Sequence, residues 1–168
     1  FAAITAGTEL ASDIQSGFTD RLALTPAKRW AVLAGATAGG ASIAVFGSII
    51  YLIIGLIFGV QIDTGVLGAV SLLALAIYTA LAFAGIGAWL AVATGSPQAV
   101  QGVFPLLFVL LFLSTMNLPL DFIQKEWFRV IAEWNPLSFL IDGMRGLVIG
   151  GWDASTLLPA FVVATVIM

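Results

Sequence analysis

An all-α, polytopic membrane fold is what this sequence predicts, and three observations carry the prediction. Of 168 residues, 61% are hydrophobic and only 9% charged, against roughly 25% charged in an ordinary soluble domain. Charges are absent between Arg29 and Asp63 and again between Asp63 and Asp121. A helix needs about 20 apolar residues to cross the hydrocarbon, whereas core helices of soluble proteins show apolar runs of about 10–14. The first gap therefore holds one span and the second holds two. Finally, Thr25-Pro26 and Ser96-Pro97 each pair a capping hydroxyl with a proline at the first helical position, where its missing N–H costs nothing.

Composition also removes whole chemistries. The chain has no cysteine and no histidine, which excludes a disulfide framework, a Cys/His zinc site and a His-assisted nucleophile. No Gly-rich phosphate loop with a following Lys-Ser/Thr pair is present, so nucleotide is not bound here in the P-loop manner. No cofactor or metal is expected within the chain. A net charge of −3, dispersed along the sequence, lacks the clustered basic surface that nucleic acid requires.

Taken in order, residues 1–8 read as the end of a span. Residues 9–25 form a polar loop in which Leu10, Ile14, Phe18 and Leu22 recur every four positions, with Glu9, Asp13, Asp20 and Arg21 elsewhere on the wheel. This is an amphipathic helix, interruptible at Gly17, that either lies at the lipid headgroups or docks onto a partner. Residues 26–60 form the first complete span, with Lys28, Arg29 and Trp30 placed to anchor it at the interface. The turn at 61–65 is short enough to make the next span, 66–94, antiparallel. A third span covers 97–115, with Pro105 removing one backbone hydrogen bond inside it.

Residues 116–155 mix apolar and charged positions. Asp121 is placed to cap a helix with the apolar face Ile123, Trp127, Val130, Ile131 and Trp134, and Asn135-Pro136 to cap a second. That second helix carries Ser138, Asp142 and Arg145 on one stripe and Leu140, Met144, Leu147 and Val148 on another. Trp127, Trp134 and Trp152 give the segment the aromatic enrichment of a membrane interface. Asp153 or Ser155 opens a last apolar run, 156–168. Both end runs fall short of a membrane thickness, and FAAITAGTEL lacks the basic start and cleavage site of a secretory signal. The sequence therefore reads as a fragment with about three complete spans and parts of two more.

Two blocks carry a resemblance. D-I-Q-S-G-F-T-D-R-L-A-L-T-P, Asp13 to Pro26, and N-P-L-S-F-L-I-D-G-M-R-G-L, Asn135 to Leu147, resemble the permease subunits of type-2 ABC exporters, nearest to the daunorubicin-resistance-type drug permeases. Ser96-Pro97-Gln98 is a shorter match between them. The resemblance implies a six-span layout, of which this stretch holds the end of the second span to the start of the sixth. It implies that Asp13, Ile14, Gly17, Phe18, Asp20, Arg21, Leu22 and Pro26 belong to a cytoplasmic coupling helix seated on a separate ABC ATP-binding subunit, which holds ATP and magnesium. It also implies that Asn135, Pro136, Asp142 and Arg145 lie in extracytoplasmic re-entrant helices that gate the path.

Positive-inside counting sets Arg21, Lys28 and Arg29 against Lys125, Arg129 and Arg145. Their closer spacing favours the first loop as cytoplasmic, as the resemblance implies. The expected function is the membrane-spanning subunit of an ATP-driven exporter in the bacterial inner membrane, working with an ATPase and a second permease copy. Its cargo would be a drug, lipid or lipid-linked glycan, and the chain itself would not be an enzyme. The alternative, a secondary transporter or channel, normally places ionisable residues within spans, and the three complete spans have none past their flanks.

Overall fold

The computed structural model describes residues 2–23 and 29–168, and among these there are helices and turns but no strand. The helices α1 (Ala2–Gln15) and α2 (Phe18–Ala23) are separated at Ser16 and Gly17. Gly17 has φ 70°, the left-handed conformation that ends a helix and that a side chain would oppose. The Thr25-Pro26 helix start and Lys28 lie outside the described residues, as do the side chains of Arg29 and Trp30.

Two long apolar helices follow, α3 (Arg29–Ile57) and α4 (Gly65–Thr94). In the most apolar 18 residues of the membrane-length stretches Ala38–Ile57 and Gly65–Thr94, only 6% and 17% of positions are buried by the rest of the chain. A core helix of a soluble protein is covered by its own chain, whereas here Ile50, Tyr51, Ile57 and Val66 stand exposed. Lipid or neighbouring spans must cover them. The chain is thus a helical membrane protein.

α5 (Pro97–Phe112) is shorter than its expected span, 16 residues rather than a run to 115. At about 1.5 Å per residue it measures about 24 Å, below the roughly 30 Å of hydrocarbon. The helix stops because the Ser114 hydroxyl donates to the Leu111 carbonyl at 2.5 Å and the Ser114 amide turns back to the same group at 3.2 Å. A 3-10 turn (Leu120–Phe122), α6 (Glu126–Trp134), α7 (Pro136–Arg145), a π-helical turn (Gly146–Gly150) and α8 (Ala154–Ile167) complete the chain.

Asp121 does not cap α6 as expected. It sits inside the 3-10 turn, and Lys125 occupies the cap position without a side-chain bond. Pro119 sets this arrangement, because its carbonyl takes the Phe122 amide while that of Leu120 takes the Ile123 amide. Ile123 is then extended and only 7% exposed. It leaves the apolar face of α6, where Trp127, Val130, Ile131 and Trp134 remain exposed.

The described chain divides into two compact units. In the first, α1 packs on the later half of α4 and the start of α5. Leu10, Ala11, Ala88, Ala91 and Val100 form its core, with Ile4, Ile14 and Leu90 packed against it. The backbones of α1 and α4 touch where two glycines meet, since a Cβ on Gly7 would stand 2.8 Å from the Gly87 carbonyl carbon. Small residues permit this approach, which in lipid supplies much of the attraction between helices. The second unit comprises Leu52–Leu75 and Pro105–Val166. Leu75, Leu137, Leu140, Leu147 and Ala160 are its buried apolar residues around α7.

Candidate functional site

Two groups of residues stand apart from simple packing. The first is the α1–α2 segment. Its apolar stripe is not continuous, because Gly17 breaks the helix that would carry it. Leu10 is 4% exposed within the first unit's core and Ile14 packs against that core, whereas Phe18, beyond the break, is 49% exposed. The N-terminal half of the stripe is therefore occupied within the chain, and among the described side chains of the stripe Phe18 is the one left open to something else. Asp13 and Arg21 are exposed beside it. Asp20 and Leu22 lie on α2 by their backbone, but their side chains, and all of Pro26, are outside the described residues.

The second group joins the end of α5 to α7. Asn135 begins it with a local contact, in which its Oδ1 accepts the Leu137 amide at 2.9 Å and Pro136 fills the first helical position. This caps α7. The other half of the same amide donates from Nδ2 to the Leu110 carbonyl at 2.6 Å, satisfying one of the carbonyls that a helix end leaves unpaired. One buried side chain, 4% exposed, thus starts one helix and braces another.

A turn further along α7, the Ser138 hydroxyl accepts the Thr115 amide at 3.1 Å. Asp142 Oδ1 accepts the Thr115 hydroxyl at 2.8 Å and Arg145 Nη1 at 2.9 Å. Arg145 Nη2 donates to the Thr115 carbonyl at 2.5 Å. Amide, hydroxyl and carbonyl of Thr115 are all held by α7. The Arg145 and Asp142 side chains are 28% and 30% exposed, so their pair is neither dry nor freely solvated. A cavity of about 510 Å³ opens beside them, lined among others by Leu120, Asp121, Ile149 and Thr156.

Close packing against α8 holds α7 in this position. A Cβ on Gly143 would stand 2.5 Å from that of Ala160, and one on Gly146 would stand 3.0 Å from Thr156 Oγ1. Asp153 opens α8, accepting the Ser155 amide at 2.9 Å and its hydroxyl at 2.7 Å. These two bonds, the hydroxyl's first, favour the ionised form and hold the Asp153 carboxyl below the usual carboxylate range. Stability from this cap is present above the unfolded carboxylate pKa and fades as pH falls through the lower folded value.

Sequence reasoning places Ser138, Asp142 and Arg145 on one stripe but misses their common partner, Thr115, 23–30 residues away. It also misses Asp63 and Thr64, which reach the π-helical turn: the Asp63 amide donates to the Val148 carbonyl at 3.1 Å and Thr64 Oγ1 to that of Leu147 at 2.6 Å. No local pattern announces either contact. The only cue is polarity directly beyond an apolar run.

Comparison with known proteins points in one direction. Residues 1–149 match the family model described as ABC-2 type transporter. The chain is 31% identical over 160 residues to the daunorubicin resistance ABC transporter permease protein DrrB1 of Streptomyces coeruleorubidus, covering 90% of this chain and 55% of that relative. It thus spans about half the length of the relative it matches. No solved structure matches it. With lipid-length apolar helices and a family match running from its first residue into the π-helical turn, this chain belongs to the ABC-2 type transporter family.

Proposed function

We propose that the chain forms most of the membrane core of a permease subunit in an ATP-driven exporter, moving an apolar or amphipathic compound outward across the bacterial inner membrane. ATP and magnesium are held by a separate ATP-binding subunit, and a second permease copy completes the path. Family membership supports the class of transporter. The name of the daunorubicin resistance relative supports an amphipathic drug as cargo.

The observation that carries the coupling role is the interruption of the amphipathic stripe at Gly17. Leu10 and Ile14 tie α1 to the first unit's core, while Phe18 stands 49% exposed among polar residues. An apolar side chain beyond a rigid packed helix transmits a push from a docked protein, which a loosely lying surface helix does not. Replacing Phe18 with Asp in the full-length permease tests this. The variant is expected to reach the membrane in normal amount and to lose co-purification of the ATPase, and an unimpaired complex would remove Phe18 from the docking surface.

The gate role falls to the Thr115, Asp142 and Arg145 cluster with Asn135 and Pro136 at its base. It fastens the buried Thr115 at the end of a span to a short helix through Asp142 and Arg145, whose side chains are about 30% exposed, a setting in which water competes with the bonds of that pair. Such a contact suits a closure that must open in each cycle.

A further inference from the structure

The last carbonyls of a helix have no partner within it, and two of those at the end of the π-helical turn are tied to the turn between α3 and α4. Thr64 Oγ1 donates to Leu147 and the Asp63 amide to Val148. A π-helical turn closes its hydrogen bonds over five residues, so it accommodates one residue more than an α-helix. Gly146–Gly150 is such a turn and follows Arg145 directly. The additional residue therefore sets the rotation of α7 relative to the chain beyond Gly150. Relaxation to an α-helix would turn α7 by about 100° and slide it by about 1.5 Å. The bonds from the Thr115 hydroxyl to Asp142, 2.8 Å, and from Arg145 to the Thr115 carbonyl, 2.5 Å, do not survive that displacement.

We propose that Thr64 is a positioning residue for the outer cluster. Its hydroxyl, with the Asp63 amide, holds residues 146–150 in the π form and so keeps Asp142 and Arg145 on Thr115. Release of this strap lets the turn relax and rotates α7 away from the end of α5. The junction of the two long spans thereby controls the register of the short helix. Only the consequence for export rests on reading the cluster as a gate.

The test uses the full-length permease in nanodiscs, where both faces meet reagent, with any cysteine outside this stretch replaced. Leu140 is 2% exposed on α7, so Leu140→Cys reports rotation through its rate of reaction with a polar maleimide, which follows the population of the open form. The native Thr64 background is expected to protect it, Thr64→Val to raise the rate by about tenfold or more, and Thr64→Ser, which keeps the hydroxyl, to restore protection. Deletion of the exposed Ile149, which removes the additional residue and lets the turn close as an α-helix with α7 in its present register, is expected to keep the rate slow. Adding Thr64→Val to the deletion is expected to leave Leu140→Cys protected, because no π turn remains for the strap to hold.

Protection unchanged in Thr64→Val, or a fast rate in Thr64→Ser, overturns the proposal. A fast rate in the deletion, alone or combined with Thr64→Val, does the same. If Thr64→Val alone fails to reach the membrane, the combined variant decides, since the deletion is expected to restore insertion and protection, and its failure to do so is equally fatal. Neither nucleotide nor cargo enters the measurement, so its failure leaves the exporter reading standing, and retention of the ATPase by Phe18→Asp leaves the strap standing.

Discussion

At the residue scale, Asp142 and Arg145 are unequal partners. Arg145 serves both the Asp142 carboxylate and the Thr115 carbonyl, whereas Asp142 acts through a single oxygen that accepts both of its bonds. Asp142→Asn preserves an acceptor at that position, while Arg145→Ala takes a donor from the Thr115 carbonyl and leaves the Asp142 carboxylate with the Thr115 hydroxyl and no cation. The expected cost of Arg145→Ala is about 1–3 kcal/mol, the range for leaving a partly buried polar group without its bond. Asp142→Asn is expected to cost clearly less. Thermal unfolding of the two variants in detergent checks the order, and equal losses would mean that the charge of Asp142, not its hydrogen bonds, matters. The Asn135 cap on α7 is legible in sequence because it acts two residues ahead, through Asn-Pro at a helix start. Its second bond, to Leu110, depends on where α5 ends, which no local pattern states.

At the element scale, small residues decide how closely the helices approach, and hydroxyls and turns decide where they stop. Gly143 lets α7 rest on α8, and a methyl group there would stand 2.5 Å from the Cβ of Ala160. Gly143→Ala is expected to destabilise the permease by about 1–3 kcal/mol through overpacking. Combining it with Ala160→Gly, which clears the space, is expected to recover part of the loss. A double-mutant cycle on unfolding midpoints measures that coupling, and strict additivity would show that the two positions do not meet. The long spans were legible from charge-free runs alone, since a bilayer imposes length and apolarity on every crossing helix. The stop of α5 at Phe112 and the turn at Asp121 were not. They follow from Ser114 and Pro119 acting on nearby backbone groups, which apolar periodicity cannot register. The amphipathic stripe of residues 10–22 was visible as a pattern, but its division between internal packing and exposure arises from contacts of α1 with α4 and α5.

At the scale of the whole molecule, the order of spans fixes which loops share a side. In the proposed topology one span lies between Ser16 and Gln61, and two more between Gln61 and Lys125. That topology puts Gln61 and Lys125 on one side and Ser16 on the other. Within the second unit, the bonds from Asp63 and Thr64 to Val148 and Leu147 support this, because they join the α3–α4 turn to the π-helical turn after α7. Within the first, Ile14 lies beside Gly95, 3.7 Å from the position a Cβ would take there. The coupling reading requires Ser16 and Phe18 to face the cytoplasm, where ATP is. The most direct test labels single cysteines with an impermeant maleimide in intact cells. The reporters are Ser16→Cys, Gln61→Cys and Lys125→Cys, in the full-length permease with any other cysteine replaced. The account predicts reaction at Gln61→Cys and Lys125→Cys, with Ser16→Cys reacting only after the membrane is opened. Reaction at Ser16→Cys in intact cells, with the other two protected, would contradict it.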